Sequence, residues 1–543
     1  MHLNTRLLST AIAVSLAVAA PAFAASNADQ TPAAIRAKGL VNGVGAAAAF
    51  RADADAFVAR DVIVDQDGTE HVRLDRTYRG MPVLGGDLVV RSKNGKFRSL
   101  SATLKTRGRP DLTASLSADD AIIEAGALFG TGFIGMPSAN KVVYARGATP
   151  VLAYEVRFSG IKADQTPTEM RYIVDANSGR ILDKWDTVET GKPETTGKPG
   201  GGGGGNGGGS TVTCTTSATG TGKTLTLGTV SINTTGCSDG SFQMKDATRG
   251  GGYTTDLGNK TNGSGTLFVD ADNTWGNFTI SDRASAAADA HYGVARTWDY
   301  YKNVHGRNGI ANDGKGALSR VHYGRNYVNA FWSDSCFCMT FGDGGGSYLP
   351  LVALDVAGHE MSHGVTSRTA NLTYSGESGG LNEANSDIFG TMVEFYSNSA
   401  NDVPDYLIGE KIYASNPGDS KALRWMYNPA LDGASPNCYS SNIGSKDVHY
   451  SSGVGNHFFY LLAEGSGAKA FGSNTVTSPT CNNSSITGIG RDAAQKIWYR
   501  ALTVYMTSST NYAGARQATL NAAADLGYST SAVASAWSAV GVN

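Results

Sequence analysis

The chain has 543 residues, a formal net charge of −2 and a pI near 6.5, and its length suggests about three or four folding units. Lysines and arginines are scattered rather than clustered, so no basic stripe points to nucleic acid or anionic lipid, and neither is expected as a partner.

The first segment reads MHLNTRLLSTAIAVSLAVAAPAFAAS: Arg6, an apolar run from Leu7 to Ala20, then Ala22-Phe23-Ala24 as a small-residue cleavage site. Residues 1–24 are read as a secretory signal peptide, because the run is shorter than the roughly 20 residues of a membrane anchor. The product is expected to be secreted, extracellular and free of the membrane once the signal is removed. From there to residue 190, polar and apolar positions alternate, as in HVRLDRTYRGMPVLGGDLVVRS and VLAYEVRF, and RYIVDANSGRILDKW predicts a hairpin around a DANSG turn. This half reads as α+β with curved antiparallel sheets.

Residues 191–210, GKPETTGKPGGGGGGNGGGS, form a glycine-rich flexible linker. Residues 211–355 carry short strand-like runs such as TLTLGTVSI and GTLFVDA, and read as a β-rich lobe. Helix-length apolar patterns take over around Tyr348 and fill an α-helical lobe over residues 356–543. Two such lobes leave a cleft, a common place for a binding site. Six cysteines fit an oxidising compartment, and sequential pairing is expected: Cys214 with Cys237, Cys336 with Cys338, and Cys438 with Cys481. The middle pair would close a small ring around Phe337.

The helical lobe opens on LDVAGHEMSHGVTS. On a helix, His359 and His363 lie one turn apart on one face, and Glu360 is rotated toward a metal-held water, the H-E-x-x-H arrangement. A catalytic zinc needs a third protein ligand. LNEANSDIF offers Glu383 and Asp387 on one face, and either serves; the other would then accept the second ring N–H of a ligating histidine. Asp355 precedes His359 by one turn, and Glu394 follows Glu383 by about three. These two acids meet only if the helices run antiparallel, about 10–15 Å from the histidines. Oxygen ligands there suit calcium, and Asp405 and Glu410 could complete the shell.

At this point the chain resembles the thermolysin family of secreted zinc metalloendopeptidases. NAFWSDSCFCMTFGDGGGS, LDVAGHEMSH, YSGESGGLNEANSD, LRWMYNP and DVHYSSGVGNHFFYLLA stand in family order, the DVH segment being closer to the bacterial elastase (vibriolysin-like) branch. Residues 25–113 look like the family's fungalysin/thermolysin propeptide segment, and 114–190 like its PepSY segment. The resemblance implies a two-lobed α+β catalytic domain in which His359, His363 and Glu383 bind zinc, Glu360 is the general base and Asp387 orients His359. Tyr374 and His449 would donate to the oxyanion, with Asp447 orienting His449. Asn329 and Ala330 would pair with substrate backbone, and Arg424 would hold the carbonyl after the scissile bond. Asp355, Glu394, Asp405 and Glu410 would bind calcium. Leu407 stands where a further acid is expected, so one calcium is anticipated rather than two.

The expected reaction is peptide hydrolysis by a zinc-activated water with Glu360 as base. Tyr348, Leu351, Val356, Ile408 and Leu423 would line a pocket that prefers an apolar residue after the cut. Partners are peptide or protein substrates and the chain's own propeptide, acting as intramolecular chaperone and inhibitor; a monomer is expected, with no carbohydrate-binding or prepeptidase extension after Asn543. Self-cleavage in the linker should give an N-terminus near Gly200 to Thr213. The alternatives are a catalytically inactive secreted binding or adhesion protein on the same fold, and a zinc amidase acting on cell wall or lipoprotein.

Overall fold

A computed structural model describes residues 27–191, 212–416 and 420–543. The expected signal peptide, and all of the linker beyond Gly191, lie outside the described residues. In the N-terminal half, the alternating segments pair into a nine-stranded sheet spanning Asp55 to Asp186. Helix α1 (Pro32–Asn42) starts on Thr31, whose hydroxyl accepts the Ala34 N–H, and helix α2 (Ala118–Phe129) starts on a reciprocal Ser117–Asp120 cap. Both bury alanine-rich faces: Ala33, Ala34, Ala37 and Val41 in one core, Ala121 and Ala125 in another. The expected hairpin pairs Pro167–Asp175 with Ile181–Asp186. At its turn Asp175 accepts the N–H groups of Asn177 and Ser178, and Gly179 takes φ 75°.

The next lobe holds a five-stranded and a seven-stranded sheet, but it is not only β. Helix α3 (Arg283–His305) runs for 23 residues inside the stretch read as short strands. Its inward face is built from Ala286, Ala287, Ala288, Ala290 and Gly293. Such small side chains allow close packing yet give a weak apolar period in sequence. Helix α4 (Leu354–Ser367) belongs to both lobes: Leu354 and Val365 enter the helical core, while Val356, Ala357 and Met361 enter the β-lobe core. The anticipated boundary after residue 355 therefore falls inside a helix.

Helix α5 (Gly376–Ser397) packs on α4, and the helical lobe continues with α6 (Val448–Ser451), α7 (Gly453–Ala463), α8 (Arg491–Val504), α9 (Tyr512–Leu526) and α10 (Thr530–Ala539). At the centre of its core, Phe458 stacks on Trp537 at 3.7 Å between ring centroids. The three disulfides form in sequential order: Cys214–Cys237, Cys336–Cys338 and Cys438–Cys481. Among the described residues, no helix is long and apolar enough to cross a membrane.

Two features position the site. The first is how the N-terminal half grips the rest. Arg73, fully buried, donates to the carbonyls of Leu502, Thr503 and Met506 at the end of α8. Asp87 accepts the Ser508 N–H and hydroxyl, and Asp65 pairs with Arg500. From this clamp the chain runs on to Val188–Thr190, which joins the seven-stranded sheet as its outermost strand, antiparallel to Ala330–Ser333.

The second feature is the crossing of α4 and α5. They run antiparallel at very close range, since a Cβ on Gly358 would lie 2.9 Å from the Gly390 Cα, and one on Gly390 would lie 2.5 Å from the Asp355 carbonyl oxygen. Gly390→Ala should destabilise the protein by about 1–3 kcal/mol through overpacking, even though alanine favours the helix by about 1 kcal/mol. Thermal unfolding checks this, and an unchanged or higher Tm would mean that the helices have room to spare.

Candidate active site

The crossing sets His359 and His363 of α4 against Glu383 and Asp387 of α5, all buried. Sequence left two candidates for the third ligand, and the geometry separates them. Asp387 accepts from His359 Nδ1 at 2.8 Å, while Glu383 faces both Nε2 atoms, at 3.5 Å from His359 and 3.4 Å from His363. His363 Nδ1 donates to Asn382 Oδ1 at 2.8 Å, and the Asn382 amide group donates in turn to Glu189 and to the Leu372 carbonyl. With each Nδ1–H engaged by an acceptor, both Nε2 atoms present bare lone pairs to each other at 3.0 Å. That is repulsive unless a proton or a metal cation lies between them. Glu383 Oε2 adds a buried oxygen with no hydrogen-bond partner. Two neutral imidazoles and a carboxylate, each held from behind, are a donor set that fits zinc, and His359, His363 and Glu383 form a possible metal site.

Asp387 is itself held by Arg424 through two hydrogen bonds of 2.7 Å and by Asn456 at 2.8 Å. Burial opposes its charge, but Arg424 and His359 outweigh that and lower its pKa. Glu360 contrasts with it. Burial, reinforced by Glu383 and Glu189, pushes its carboxyl well above the usual range, and neither oxygen has a hydrogen-bond partner.

The outermost strand of the sheet runs through the same cleft. The Gly191 N–H donates to the Ala330 carbonyl at 3.0 Å, and Arg424 donates to the Gly191 carbonyl at 2.9 Å. The Thr190 carbonyl accepts from His449 Nε2 at 2.6 Å and from the Tyr374 hydroxyl at 3.3 Å; that hydroxyl also contacts Glu383 Oε1. His449 Nδ1 meets Asp447 at 2.6 Å. A carboxylate and a carbonyl can only accept, so His449 donates from both nitrogens as imidazolium. Burial disfavours that charge, yet Glu383 and Asp447 together raise its pKa.

Gly191 also lines an apolar pocket with Leu351, Val356, Ile408 and Leu423, beside Asn329, Ala330 and Arg424. Of the expected wall, Tyr348 does not line it and packs at a tilt against Tyr413 instead, at 5.0 Å between centroids. A Cβ on Gly191 would stand 2.8 Å from Glu360 Oε1.

The acids at the far end of the crossing converge as well. Asp355 accepts from the N–H groups of Val356 and Gly409, and Asp405 from that of Leu407. Burial and mutual repulsion push Asp355 up to about 7, and Glu394 and Glu410 well above their usual range. A fifth acid, Asp402, joins them; it sits in the loop after α5, where sequence gave no period to follow. Asn382, Glu189, Thr190 and Gly191 were missed too, because an uncharged neighbour of a ligand and a strand arriving from another domain leave no local signal.

Comparison with known proteins agrees with this architecture. Residues 219–367 match the family model described as thermolysin metallopeptidase, catalytic domain, residues 370–542 its alpha-helical domain, and residues 55–104 the fungalysin/thermolysin propeptide motif. The chain is 49% identical over 496 residues to a transglutaminase-activating metalloprotease of Streptomyces mobaraensis, covering 90% of this chain but 61% of that protein's length. It is 40% identical over 507 residues to a thermolysin of Alicyclobacillus acidocaldarius subsp. acidocaldarius, covering 88% and 84% of the two chains. A bacillolysin of Bacillus cereus is 37% identical over 509 residues, covering 90% and 84%.

Replacing Asp387 by Asn exchanges the charged acceptor that turns His359 for a neutral amide, sets its NH2 against the donors of Arg424 and Asn456, and leaves Arg424 without its counter-charge. Zinc affinity, measured by competition with a chromogenic chelator, should fall by about 10- to 100-fold; an unchanged affinity would relieve Asp387 of that role.

Proposed function

The chain belongs to the thermolysin metallopeptidase family, and from that premise we propose that it is the secreted precursor of a zinc-dependent endopeptidase that cuts its own propeptide away. The observation that carries this reading is the seating of Val188 to Gly191: an extended peptide, hydrogen-bonded as a strand, with two donors on one carbonyl and Arg424 on the next. A binding protein that had lost catalysis has no need of a buried, unpartnered Glu360 beside that peptide. A cell-wall or lipoprotein amidase has no need of the edge strand.

In this reading His359, His363 and Glu383 hold zinc, with Asp387 and Asn382 fixing the two imidazoles. Zinc, when bound, supplies a Lewis acid and lowers the pKa of water toward neutrality. Glu360, with a carboxyl that burial makes basic, takes a proton from the attacking water and returns it to the leaving nitrogen, here that of Gly191. His449 and Tyr374 donate to the carbonyl oxygen as negative charge develops on it, and Asp447 keeps His449 charged and aimed. Ala330 and Arg424 fix the residue after the cut, with Asn329 beside them, and the pocket of Leu351, Val356, Ile408 and Leu423 favours an apolar side chain there. Asp355, Glu394, Asp405 and Glu410 hold calcium. The N-terminal half acts as template and, through its terminal strand, as inhibitor; the enzyme works as a secreted monomer.

The contacts support a first cut between Thr190 and Gly191, at the leading edge of the linker. The N-terminus expected near Gly200 to Thr213 falls mainly outside the described residues and would arise by later trimming. Glu360→Gln should keep about one zinc per chain, lose peptide hydrolysis and accumulate as a full-length precursor in a protease-free host. Early N-terminal sequencing of the wild type should begin at Gly191. Processing of the inactive variant in that host would refute self-cleavage.

His449→Ala should lower kcat by about 10²- to 10³-fold with little change in KM, because its donor acts on charge present only in the transition state. An effect confined to KM on casein peptides would make His449 a binding residue only.

A further inference from the structure

The acid cluster beyond the crossing holds a residue that neither the spacing of acids in sequence nor the family resemblance supplied. Its assignment as a ligand rests on the proposal that calcium occupies this cluster. Asp402 lies in the loop between α5 and the Leu407–Ile408 strand and is 1% exposed. One of its carboxylate oxygens lies with oxygens of Glu394 and Glu410, all within 4.8 Å of one another. The other two acids are served by protein donors: Asp355 by two backbone N–H groups and Asp405 by one. Glu394 is 1% exposed and neither of its oxygens has a hydrogen-bond partner, nor has Glu410 Oε2. Nearby positive charge comes from Lys411, whose Nζ is 3.7 Å from Asp402 Oδ1. Lys411 is one ammonium beside five converging carboxyl groups, and the donorless oxygens of the buried Glu394 must either hold a proton or take a counter-ion.

We propose that Asp402 ligates calcium together with Glu394 and Glu410, taking the place of the acid that is missing at Leu407. The donors are all oxygens, drawn from a helix end, a loop and the short 3-10 turn Glu410–Ile412, which suits the adaptable shell of calcium. Binding ties that loop to the end of α5. The loop leads directly into the strand Leu407–Ile408, which pairs with Arg424–Trp425, so the tie braces Ile408 and Arg424, two elements of the pocket around Gly191.

The test uses the full-length Glu360→Gln precursor, which cannot digest itself, stripped of calcium with EGTA and titrated with CaCl2 by calorimetry, with thermal unfolding at each end point. Asp402→Asn should weaken calcium binding by roughly 10-fold or more and shrink the calcium-induced rise in Tm. The same variant should unfold at a higher temperature than its parent when calcium is absent, because Glu394 then loses a repelling neighbour. This crossing of the two effects is not expected of a residue that only props the loop. Lys411→Gln should leave the calcium affinity within about twofold of the parent. If the parent binds calcium and Asp402→Asn binds it equally well, the assignment of Asp402 falls while the calcium site stands. If Lys411→Gln reproduces the Asp402→Asn profile, Asp402 serves Lys411 alone. A parent that binds no calcium removes both this proposal and the calcium reading beneath it.

Discussion

The close antiparallel contact of α4 and α5 is the constraint on which the rest depends. Two helices approach so closely only where neither carries a Cβ, and Gly358 and Gly390 meet that condition at the point of contact. A wider separation would move Glu383 away from both imidazoles and Asp387 away from His359 together, since the two acids are one turn apart on a rigid rod. The same geometry, continued along the pair, draws Asp355 and Glu394 together. One backbone contact thus sets two clusters of polar groups, with the β-lobe core on one side of α4 and the helical core on the other.

Both clusters are unfinished as pure protein. Facing imidazole lone pairs at one end and donorless carboxylates at the other are states that burial penalises heavily, so the apo-chain pays for charges it cannot satisfy. In the proposed reading, cations convert that penalty into cross-links between helices or between helix and loop. Folding and metal uptake become coupled, and the N-terminal half bears on the same problem from outside. Arg73 supplies donors to the carbonyls that end α8, groups that a helix terminus leaves unpaired, and does so from a strand more than 400 residues earlier in the chain.

Much of this was legible in sequence because it obeys a local period. The i, i+4 histidines and acids fixed which side chains share a face, and the pairing of the two acidic ends followed once the helices were taken as antiparallel. The bridges followed from cysteine order. What escaped was of three kinds. Helix α3 was hidden because alanine carries little hydrophobic signal, although it packs well. Asp402 was hidden because a loop has no repeat, and its carboxylate looks like any solvated acid until burial is known. The register of Thr190 and Gly191 was hidden because it is a contact between segments about 140 residues apart, set by the docking of an entire domain rather than by any motif near the strand. Tyr348 shows the converse error, since proximity in sequence to pocket residues did not place it in the pocket.

The strand Val188–Thr190 belongs to the sheet of the lobe it blocks, and that membership separates two events that activation is often taken to join. Severing the chain after Thr190 breaks one covalent bond but none of the ladder bonds to Ala330–Ser333, and none of the contacts of Arg73, Asp87 or Asp65. In the proposed self-cleavage, the first event is intramolecular and insensitive to dilution. The second is the dissociation of a two-chain complex, reversible and governed by concentration. On that reading, a crowded volume would keep the severed pair together and silent and dilution would let the halves part, so that the cut and the opening of the cleft answer to different conditions.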